Sequence, residues 1–255
     1  MTQFIEAKDG CKIAYSLSGS GLGLVLLHGG FIQNRKLWAD LSYIRSLQQT
    51  YTVVAIDIRG HGESDKPKEE QAYSIERLVE DIYSVTEAAK LTNFLIWGFS
   101  LGASISLHAA TKRKLCGVVA AGSFFSQALI DYSKHNIPSL AAAVEARDEN
   151  RLDSLTLSPE ERFFVEKADL DVALAISRAM ANWPKIEPEM VTSPLLIYAG
   201  TNDEPTYSIL QEQSDAIQSA GIELSFIEEL DHFQAVSEKQ LVLPIVERFL
   251  ASCHS

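Results

Sequence analysis

Short runs of consecutive apolar residues recur along the chain, and most are followed by a stretch with helical periodicity. Apolar runs of about four to eight residues are typical of strands with both faces buried, as in a parallel sheet. Such strands are predicted at residues 24–27, 52–58, 94–97, 117–121, 195–198 and 223–227. Helices are predicted at residues 36–48, 75–90, 103–112, 207–220 and 236–252. Ser74 is predicted to cap the second of these helices.

The first strands are predicted to be antiparallel. Residues 4–6 and 12–17 alternate between apolar and polar positions around Asp9-Gly10, a two-residue hairpin signal. The regular alternation of strands and helices that follows predicts the α/β class: a mostly parallel sheet flanked by helices. In such sheets, ligands bind beyond the carboxyl ends of the strands.

The alternation of strands and helices stops at residues 124–188. This stretch is helical in character, with amphipathic patches at 140–147 and 169–181. We therefore predict that residues 1–123 and 189–255 form the core, and that residues 124–188 are inserted into it as a helical cap.

A serine lies between a predicted strand and a predicted helix, in the segment Gly98-Phe99-Ser100-Leu101-Gly102. The two glycines are expected where a β-carbon would collide with the neighbouring strand or helix. Such a turn exposes the serine hydroxyl and directs the Leu101 N–H towards a developing oxyanion. A helix-capping serine would fit the local sequence as well.

A serine hydroxyl is a weak nucleophile at neutral pH and needs a base, which a carboxylate must orient. Of the six histidines, three lie in loops at strand ends: His28, His61 and His232. His28 and His61 precede glycines in loops that look structural. The predicted base is therefore His232, which follows the last strand.

The predicted acid is Asp203, in the turn after the penultimate strand. Asp57 is its main competitor, but a buried carboxylate at that position more often holds its own loop together. Glu204 and Asp231 are weaker candidates, since Asp231 adjoins the predicted base and neighbouring side chains in an extended segment diverge. A purely turn-forming role for Asp203 also fits.

The second oxyanion donor is predicted in the loop His28-Gly29-Gly30-Phe31, whose glycines allow an N–H to face the substrate. The N–H of Gly30 is the first choice and that of Phe31 the second. Whichever of the two is the donor would act together with the N–H of Leu101.

The chain resembles the α/β-hydrolase superfamily over nearly its whole length. The resemblance rests on these segments and residues: His28-Gly29, Asp57-Ile58-Arg59-Gly60-His61-Gly62-Glu63-Ser64-Asp65, Gly98-Phe99-Ser100-Leu101-Gly102, Asp203 and His232. It implies an eight-stranded sheet, a lid after the sixth strand, and a triad in which Ser100 forms an acyl-enzyme, His232 shuttles the proton and Asp203 orients it. Asp231 departs from the glycine that many relatives have before the histidine.

Position 100 also separates the branches of this superfamily. Haloalkane dehalogenases and epoxide hydrolases of similar fold carry aspartate where this chain has Ser100, which argues against alkyl-enzyme chemistry. Acyl transfer to water therefore remains as the predicted type of reaction. A serine triad acts without metal, so no cofactor is expected, and the three cysteines have no metal-ligand spacing.

The predicted cap is expected to set specificity. Five of its apolar residues, with one beside the base, are candidates to line an apolar pocket over Ser100, although ordinary packing fits equally: Phe124, Phe125, Leu129, Ile130, Trp183 and Phe233. Its arginines are candidates to bind a substrate carboxylate, but solvated side chains on amphipathic helices are the more common case: Arg147, Arg151, Arg162 and Arg178.

Charge and hydropathy narrow the expected partners. The net charge of −12 over 255 residues leaves no basic stripe for nucleic acid. No stretch reaches the ~18 consecutive apolar residues of a membrane span, and the first residues lack the pattern of a signal peptide. We expect a cytoplasmic monomer or homodimer that acts on a small-molecule substrate.

The favoured function is hydrolysis of a small or medium carboxylic ester with an apolar acyl part. Three alternatives stay open. The first is carbon–carbon bond or enol-lactone hydrolysis, as in relatives resembling meta-cleavage-product hydrolases, where an acidic substrate needs a cap arginine facing Ser100. The second is a cofactor-free perhydrolase or haloperoxidase. The third is a non-catalytic ligand receptor.

Overall fold

The computed structural model describes residues 1–125 and 127–253 of the chain, and these residues form one eight-stranded sheet. The strands are β1 (Thr2–Glu6), β2 (Lys12–Ser18), β3 (Leu22–Leu27), β4 (Tyr51–Ile56), β5 (Phe94–Phe99), β6 (Gly117–Ala121), β7 (Leu195–Gly200) and β8 (Glu223–Ile227). Their order across the sheet is β1-β2-β4-β3-β5-β6-β7-β8. β1 pairs antiparallel with β2, and β2 antiparallel with β4, whereas all the other pairs are parallel. The predicted fold class is confirmed.

Helices cover both faces of the sheet, and three further helices form most of the described part of the segment between β6 and β7. They are α1 (Lys36–Asp40), α2 (Tyr43–Leu47), α3 (Ile75–Ala88), α4 (Leu101–Lys112), α5 (Gln127–Asp148), α6 (Pro159–Lys167), α7 (Leu170–Met180), α8 (Thr206–Glu212), α9 (Ser214–Ser219), α10 (Gln234–Ser237) and α11 (Lys239–Ser252). Short 3₁₀ helices lie at Glu70–Tyr73, Leu152–Ser154 and Pro188–Met190. Within the described part of the chain, no helix combines the length and the hydropathy that crossing a lipid bilayer requires.

The central strands are apolar throughout because each of their faces packs into a separate hydrophobic core. On β3, Leu24 and Leu26 belong to the core that contains Trp97, whereas Val25 and Leu27 belong to the core on the other face. Successive side chains of a strand point to opposite faces, so continuous burial removes the alternating pattern. This packing explains why the buried strands appear in the sequence as unbroken apolar runs.

Several predicted element boundaries are wrong, and local backbone geometry explains the clearest cases. The chain from Ala7 to Cys11 forms a longer loop than the predicted two-residue turn, with hydrogen bonds from Ala7 to Cys11 and from Gly10 to Ala7. The predicted helix 36–48 is divided into α1 and α2 at Ser42, whose φ of +61° is left-handed. The predicted helices 207–220 and 236–252 are likewise each divided in two, and Ser74 makes no side-chain capping bond.

The strand predicted at 52–58 ends at Ile56 because Asp57 organises the loop that follows it. The buried Asp57 carboxylate accepts hydrogen bonds from the backbone N–H groups of Arg35 (2.7 Å) and Glu63 (2.8 Å), and it forms a salt bridge with the Arg35 guanidinium. Asp57 therefore holds two loops together, as the sequence interpretation proposed. Gly62 packs directly against this carboxylate with a left-handed φ of +53°.

The helices between β6 and β7 are joined to one another and to the sheet by apolar contacts. α5 packs on α7 through a small cluster of Leu140, Ala173 and Leu174, while Val172 and Ile176 of α7 belong to the main core. The helix starts are well defined by local hydrogen bonds. α6 begins with a reciprocal capping box, and Asp169 caps α7 by accepting from the Val172 N–H.

We expect Gly62→Ala to destabilise the fold more than Gly221→Ala. Both glycines have left-handed φ, but a β-carbon at Gly221 meets nothing within 4 Å, whereas one at Gly62 collides with the Asp57 carboxylate. Backbone strain alone costs about 1–2 kcal/mol, and overpacking adds about 1–3 kcal/mol. Urea unfolding of both variants measures the difference. Equal losses of unfolding free energy would show that the Asp57 cluster adjusts without cost.

Candidate active site

Ser100 lies on a sharp turn between β5 and α4. Its φ of +53° and ψ of −115° are unusual for a residue with a β-carbon. Gly98 and Gly102 make the turn possible, because a β-carbon on Gly98 would collide with the Gly102 carbonyl, and one on Gly102 with the backbone that follows β3. The N–H of Ser100 donates to the Ala121 carbonyl at 2.8 Å, which joins the turn to the end of β6.

The His232 imidazole lies between the Ser100 hydroxyl and the Asp203 carboxylate. Its Nε2 is 3.0 Å from Ser100 Oγ, and its Nδ1 is 2.9 and 3.0 Å from the two oxygens of Asp203. The Asp203 side chain is 1% exposed, whereas that of His232 is 46% exposed. The structure thus brings together three side chains that are far apart in the sequence.

The other candidate carboxylates point elsewhere. Asp231 forms a reciprocal pair with Gln234: its Oδ1 accepts from the Gln234 N–H at 2.8 Å, and Gln234 Oε1 accepts from the Asp231 N–H at 2.9 Å. This arrangement caps the start of α10 and accounts for aspartate beside the histidine. Glu204 accepts a hydrogen bond from the Ser208 hydroxyl. Neither carboxylate binds His232.

The predicted oxyanion donors differ in their hydrogen bonding. Among the described residues, the N–H groups of Gly30 and Leu101 have no acceptor, and both residues line the same cavity as Ser100. The N–H of Phe31 instead donates to His61 Nε2 at 2.7 Å. In this conformation the Phe31 N–H is already used, so Gly30 stays the first choice for the second donor.

Two buried histidines hold the loop that carries Gly30. His28 Nε2 accepts from the Ile58 N–H at 3.0 Å and its Nδ1 lies 2.5 Å from the Gly29 carbonyl, while His61 Nδ1 lies 3.1 Å from the Arg59 carbonyl. Burial is the main cause that lowers the pKa of both imidazoles. Both therefore stay neutral, with the hydrogen on Nδ1, and their Nε2 atoms are free to accept.

A cavity of about 270 Å³ opens beside Ser100, His232 and Gly30. Of the residues predicted to line it, Phe124 and Leu129 do so, whereas Phe125, Ile130, Trp183 and Phe233 do not. Two of the six candidate side chains therefore lie where they could contact a ligand beside Ser100.

Three of the four side chains that do not line the cavity are described by their burial or hydrogen bonds elsewhere in the structure. Phe125 is fully buried, and its backbone forms hydrogen bonds with the Gln213 side chain. The Trp183 indole N–H donates to the Tyr73 carbonyl at 3.1 Å. Phe233 is 49% exposed.

Three polar residues and one methionine from the helices between β6 and β7 line the cavity, and the sequence analysis missed them. Ser133 and Asn136 of α5, and Ser177 and Met180 of α7, all face it. Each pair is three residues apart, a spacing that places both members on one side of a helix. This spacing was the available signal, but periodicity does not show which helix side meets Ser100.

The arginines proposed as carboxylate ligands lie outside this cavity. Arg147 pairs with Asp148 and Asp171. The other three arginines, which also lie outside the cavity, are Arg151, Arg162 and Arg178. Over residues 1–125 and 127–253, no lysine or arginine lines the cavity. In the same residues, no group of three or more His, Cys, Asp or Glu side chains is arranged to hold a metal ion.

Comparison with known proteins found a matching family model, curated relatives and similar solved structures. Residues 23–141 match the family model described as the alpha/beta hydrolase fold. Epoxide hydrolase 3 of Mus musculus is 33% identical over 135 residues, which are 51% of this chain and 35% of that protein. An esterase structure from Exiguobacterium antarcticum is 26% identical with a TM-score of 0.71 over the whole of both chains, and a thermophilic esterase from Thermogutta terrifontis is 18% identical with a TM-score of 0.77, also over both whole chains.

The fold, the serine turn and these similarities agree: the chain has the α/β-hydrolase fold that the matching family model describes. The match to the curated relatives covers only part of them, since it spans about a third of the length of the mouse epoxide hydrolases.

We expect Gly122→Ala to slow the labelling of Ser100 by a fluorophosphonate about tenfold, since sub-ångström displacements of catalytic groups cost rate steeply. A β-carbon at Gly122 would lie 3.0 Å from His232 Cε1, so the imidazole must move by a few tenths of an ångström from its position between Ser100 and Asp203. Gly221→Ala is the matched control, because it adds the same methyl group at a left-handed position in open space. Unchanged labelling of Gly122→Ala would show that His232 tolerates the shift.

Proposed function

We propose that this protein is a serine hydrolase that cleaves a small or medium carboxylic ester through a Ser100–His232–Asp203 triad and an acyl-enzyme. The observation that carries the proposal is the position of the His232 imidazole, within hydrogen-bond distance of Ser100 Oγ on one side and of the Asp203 carboxylate on the other. This geometry supplies both a base for the serine and an acid that orients the base.

The proposed reaction has two half-reactions. His232 Nε2 accepts the hydroxyl proton as Ser100 attacks the ester carbonyl, and the N–H groups of Gly30 and Leu101 stabilise the oxyanion of the tetrahedral intermediate. His232 then gives the proton to the leaving alcohol. Water attacks the acyl-enzyme with the same base and restores Ser100. Asp203 keeps the hydrogen on Nδ1 and stabilises the imidazolium that forms in each half-reaction.

In this proposal the segment 124–188 acts as the cap, and residues 1–123 and 189–255 form the hydrolase core. Support comes from the cavity lining, to which the serine turn and α8 contribute on one side and α5 and α7 on the other. The cap helices then determine which acyl and alcohol groups reach Ser100.

Epoxide opening is the activity suggested by the names of several relatives, but its chemistry does not suit a serine nucleophile. Attack of a serine oxygen on an epoxide carbon would give an ether, which has no carbonyl for water to attack. Attack on an ester carbonyl gives an acyl-enzyme that water hydrolyses. Ser100 therefore favours ester hydrolysis.

We expect wild-type protein to hydrolyse p-nitrophenyl esters with a preference for short acyl chains, because the cavity is small. Ser100→Ala should lower kcat by about 10⁴-fold or more, as the loss of a nucleophile does in serine hydrolases. Initial rates over acyl chains of increasing length measure both effects. If wild type is inert but a fluorophosphonate labels Ser100, the substrate class is wrong. Without labelling, the ligand-receptor hypothesis replaces catalysis.

A pair of aspartate variants tests the assignment of the acid. Asp203→Asn should lower kcat by about 10³- to 10⁴-fold, because an amide stabilises the wrong imidazole tautomer. Asp231→Asn is the matched control: asparagine caps helices as well as aspartate does, so kcat should change less than about twofold. Steady-state kinetics of both variants measure the difference. Similar losses in the two variants would contradict the assignment of Asp203.

A further inference from the structure

Two polar side chains of the helical insertion face the cavity without a protein partner. Ser177 on α7 is 3% exposed, and its hydroxyl has no hydrogen-bond partner among the residues that the structure describes. The half-buried carboxamide of Asn136 on α5 also lines the cavity and makes no hydrogen bond within the same residues. Because α5 packs on α7, both groups border the same volume.

Three other serine hydroxyl groups of the cavity wall are already paired. Ser104 and Ser123 form a hydrogen bond at 2.8 Å, and the Ser133 hydroxyl donates to the Leu129 carbonyl at 2.9 Å. Ser177 and Asn136 therefore differ from these three serines in having hydrogen-bonding capacity that the protein does not use.

An unpaired buried polar group is costly. Buried polar groups in folded proteins are nearly always paired, because a group without a partner loses the hydrogen bonds it would make to water. The inward side of α7 is otherwise apolar, since Val172, Ile176 and Ala179 are all buried in the main core. Because Ser177 lines the cavity, its hydroxyl is available to pair with a group that enters the cavity.

The charges around the cavity restrict what that partner is. No lysine or arginine of the described residues lines the cavity, whereas the acidic residues Asp203 and Glu204 do. A substrate carboxylate would have no cation to pair with and would be repelled by Glu204. A neutral group such as a hydroxyl can both donate to the Asn136 carboxamide oxygen and accept from the Ser177 hydroxyl.

From these observations we propose that Ser177 and Asn136 form a subsite for an uncharged hydrogen-bonding group, a hydroxyl above all, on the substrate at a distance from the scissile ester. The proposal rests on the proposed ester hydrolysis and deepens it: the substrate is a hydroxyl-bearing ester without a carboxylate. Phe124, Leu129 and Met180 enclose its apolar carbons.

Matched pairs of esters test this subsite, because a hydroxyl and a methyl group have similar size. The pairs are ethyl 3-hydroxybutyrate with ethyl 3-methylbutyrate, and 2-hydroxyethyl butyrate with propyl butyrate. The first pair places the hydroxyl in the acyl part and the second in the alcohol part. Wild-type protein should favour the hydroxyl member of at least one pair by about tenfold in kcat/KM. Acid release in a pH-stat measures the rates.

The variants Ser177→Ala and Asn136→Leu should each reduce this preference to about twofold or less, while kcat/KM for the methyl member stays within about threefold. Ser139→Ala is the matched control. It removes a hydroxyl from the exposed side of α5 and should keep the full preference. If wild type favours the methyl member of both pairs, or if both variants keep the wild-type preference, the subsite is ruled out while ester hydrolysis stands.

A binding measurement separates the subsite from catalysis. In Ser100→Ala, isothermal titration calorimetry should show that the favoured hydroxyl ester binds about five- to tenfold more tightly than its methyl partner, and that Ser177→Ala in the same protein removes the difference. If wild type cleaves no ester but this binding difference persists, the subsite stands and the proposed function fails. Equal affinities within both pairs would overturn the subsite.

Discussion

The arrangement of the candidate site depends on the backbone strain at Ser100. A left-handed residue with a β-carbon is unfavourable, and here the β5–α4 connection imposes it, with Gly98 and Gly102 allowing the close approach of neighbouring backbone. Because β5 lies in the middle of the sheet and α4 is packed on it, the turn cannot relax without disrupting both cores. The same turn directs the Ser100 hydroxyl and the Leu101 N–H into one cavity, so the fold supplies the orientation that the chemistry needs.

The loop that carries Gly30 is held by a different means. Where β5 and α4 rely on close packing, this loop relies on two neutral imidazoles, since His28 accepts from the Ile58 N–H and His61 accepts from the Phe31 N–H. Burial keeps both rings uncharged by lowering their pKa, and only the uncharged ring has a nitrogen that accepts. The two histidines that precede glycines are thus connected to the site through the backbone they position.

Much of the fold was predictable because the buried strands leave a strong local signal. The strands β6 and β8 were predicted with their observed bounds, and the serine turn was predicted from its glycines and flanking elements. Helix ends were less predictable, since residues such as Ser42 adopt left-handed backbone angles for tertiary reasons. In the site, Ser100 was predicted from its turn, His232 and Asp203 were predicted from their positions after the last two strands, and the resemblance to a known superfamily implied the same three residues. Most of the cavity lining was not predicted, because helical periodicity does not show which side of α5 or α7 meets Ser100.

By itself, the sequence determined the α/β class, the serine turn and the identity of the side chains that meet at it, since all of these follow from patterns within short segments and from the geometry of parallel sheets. Tertiary structure decided the rest: that the Phe31 N–H is used by His61, that Asp231 caps α10, and that Ser177 and Asn136 face the cavity while Trp183 binds the Tyr73 carbonyl. The physical reason is that hydrogen-bond partners and cavity walls are set by contacts between segments distant in sequence, which no local pattern encodes.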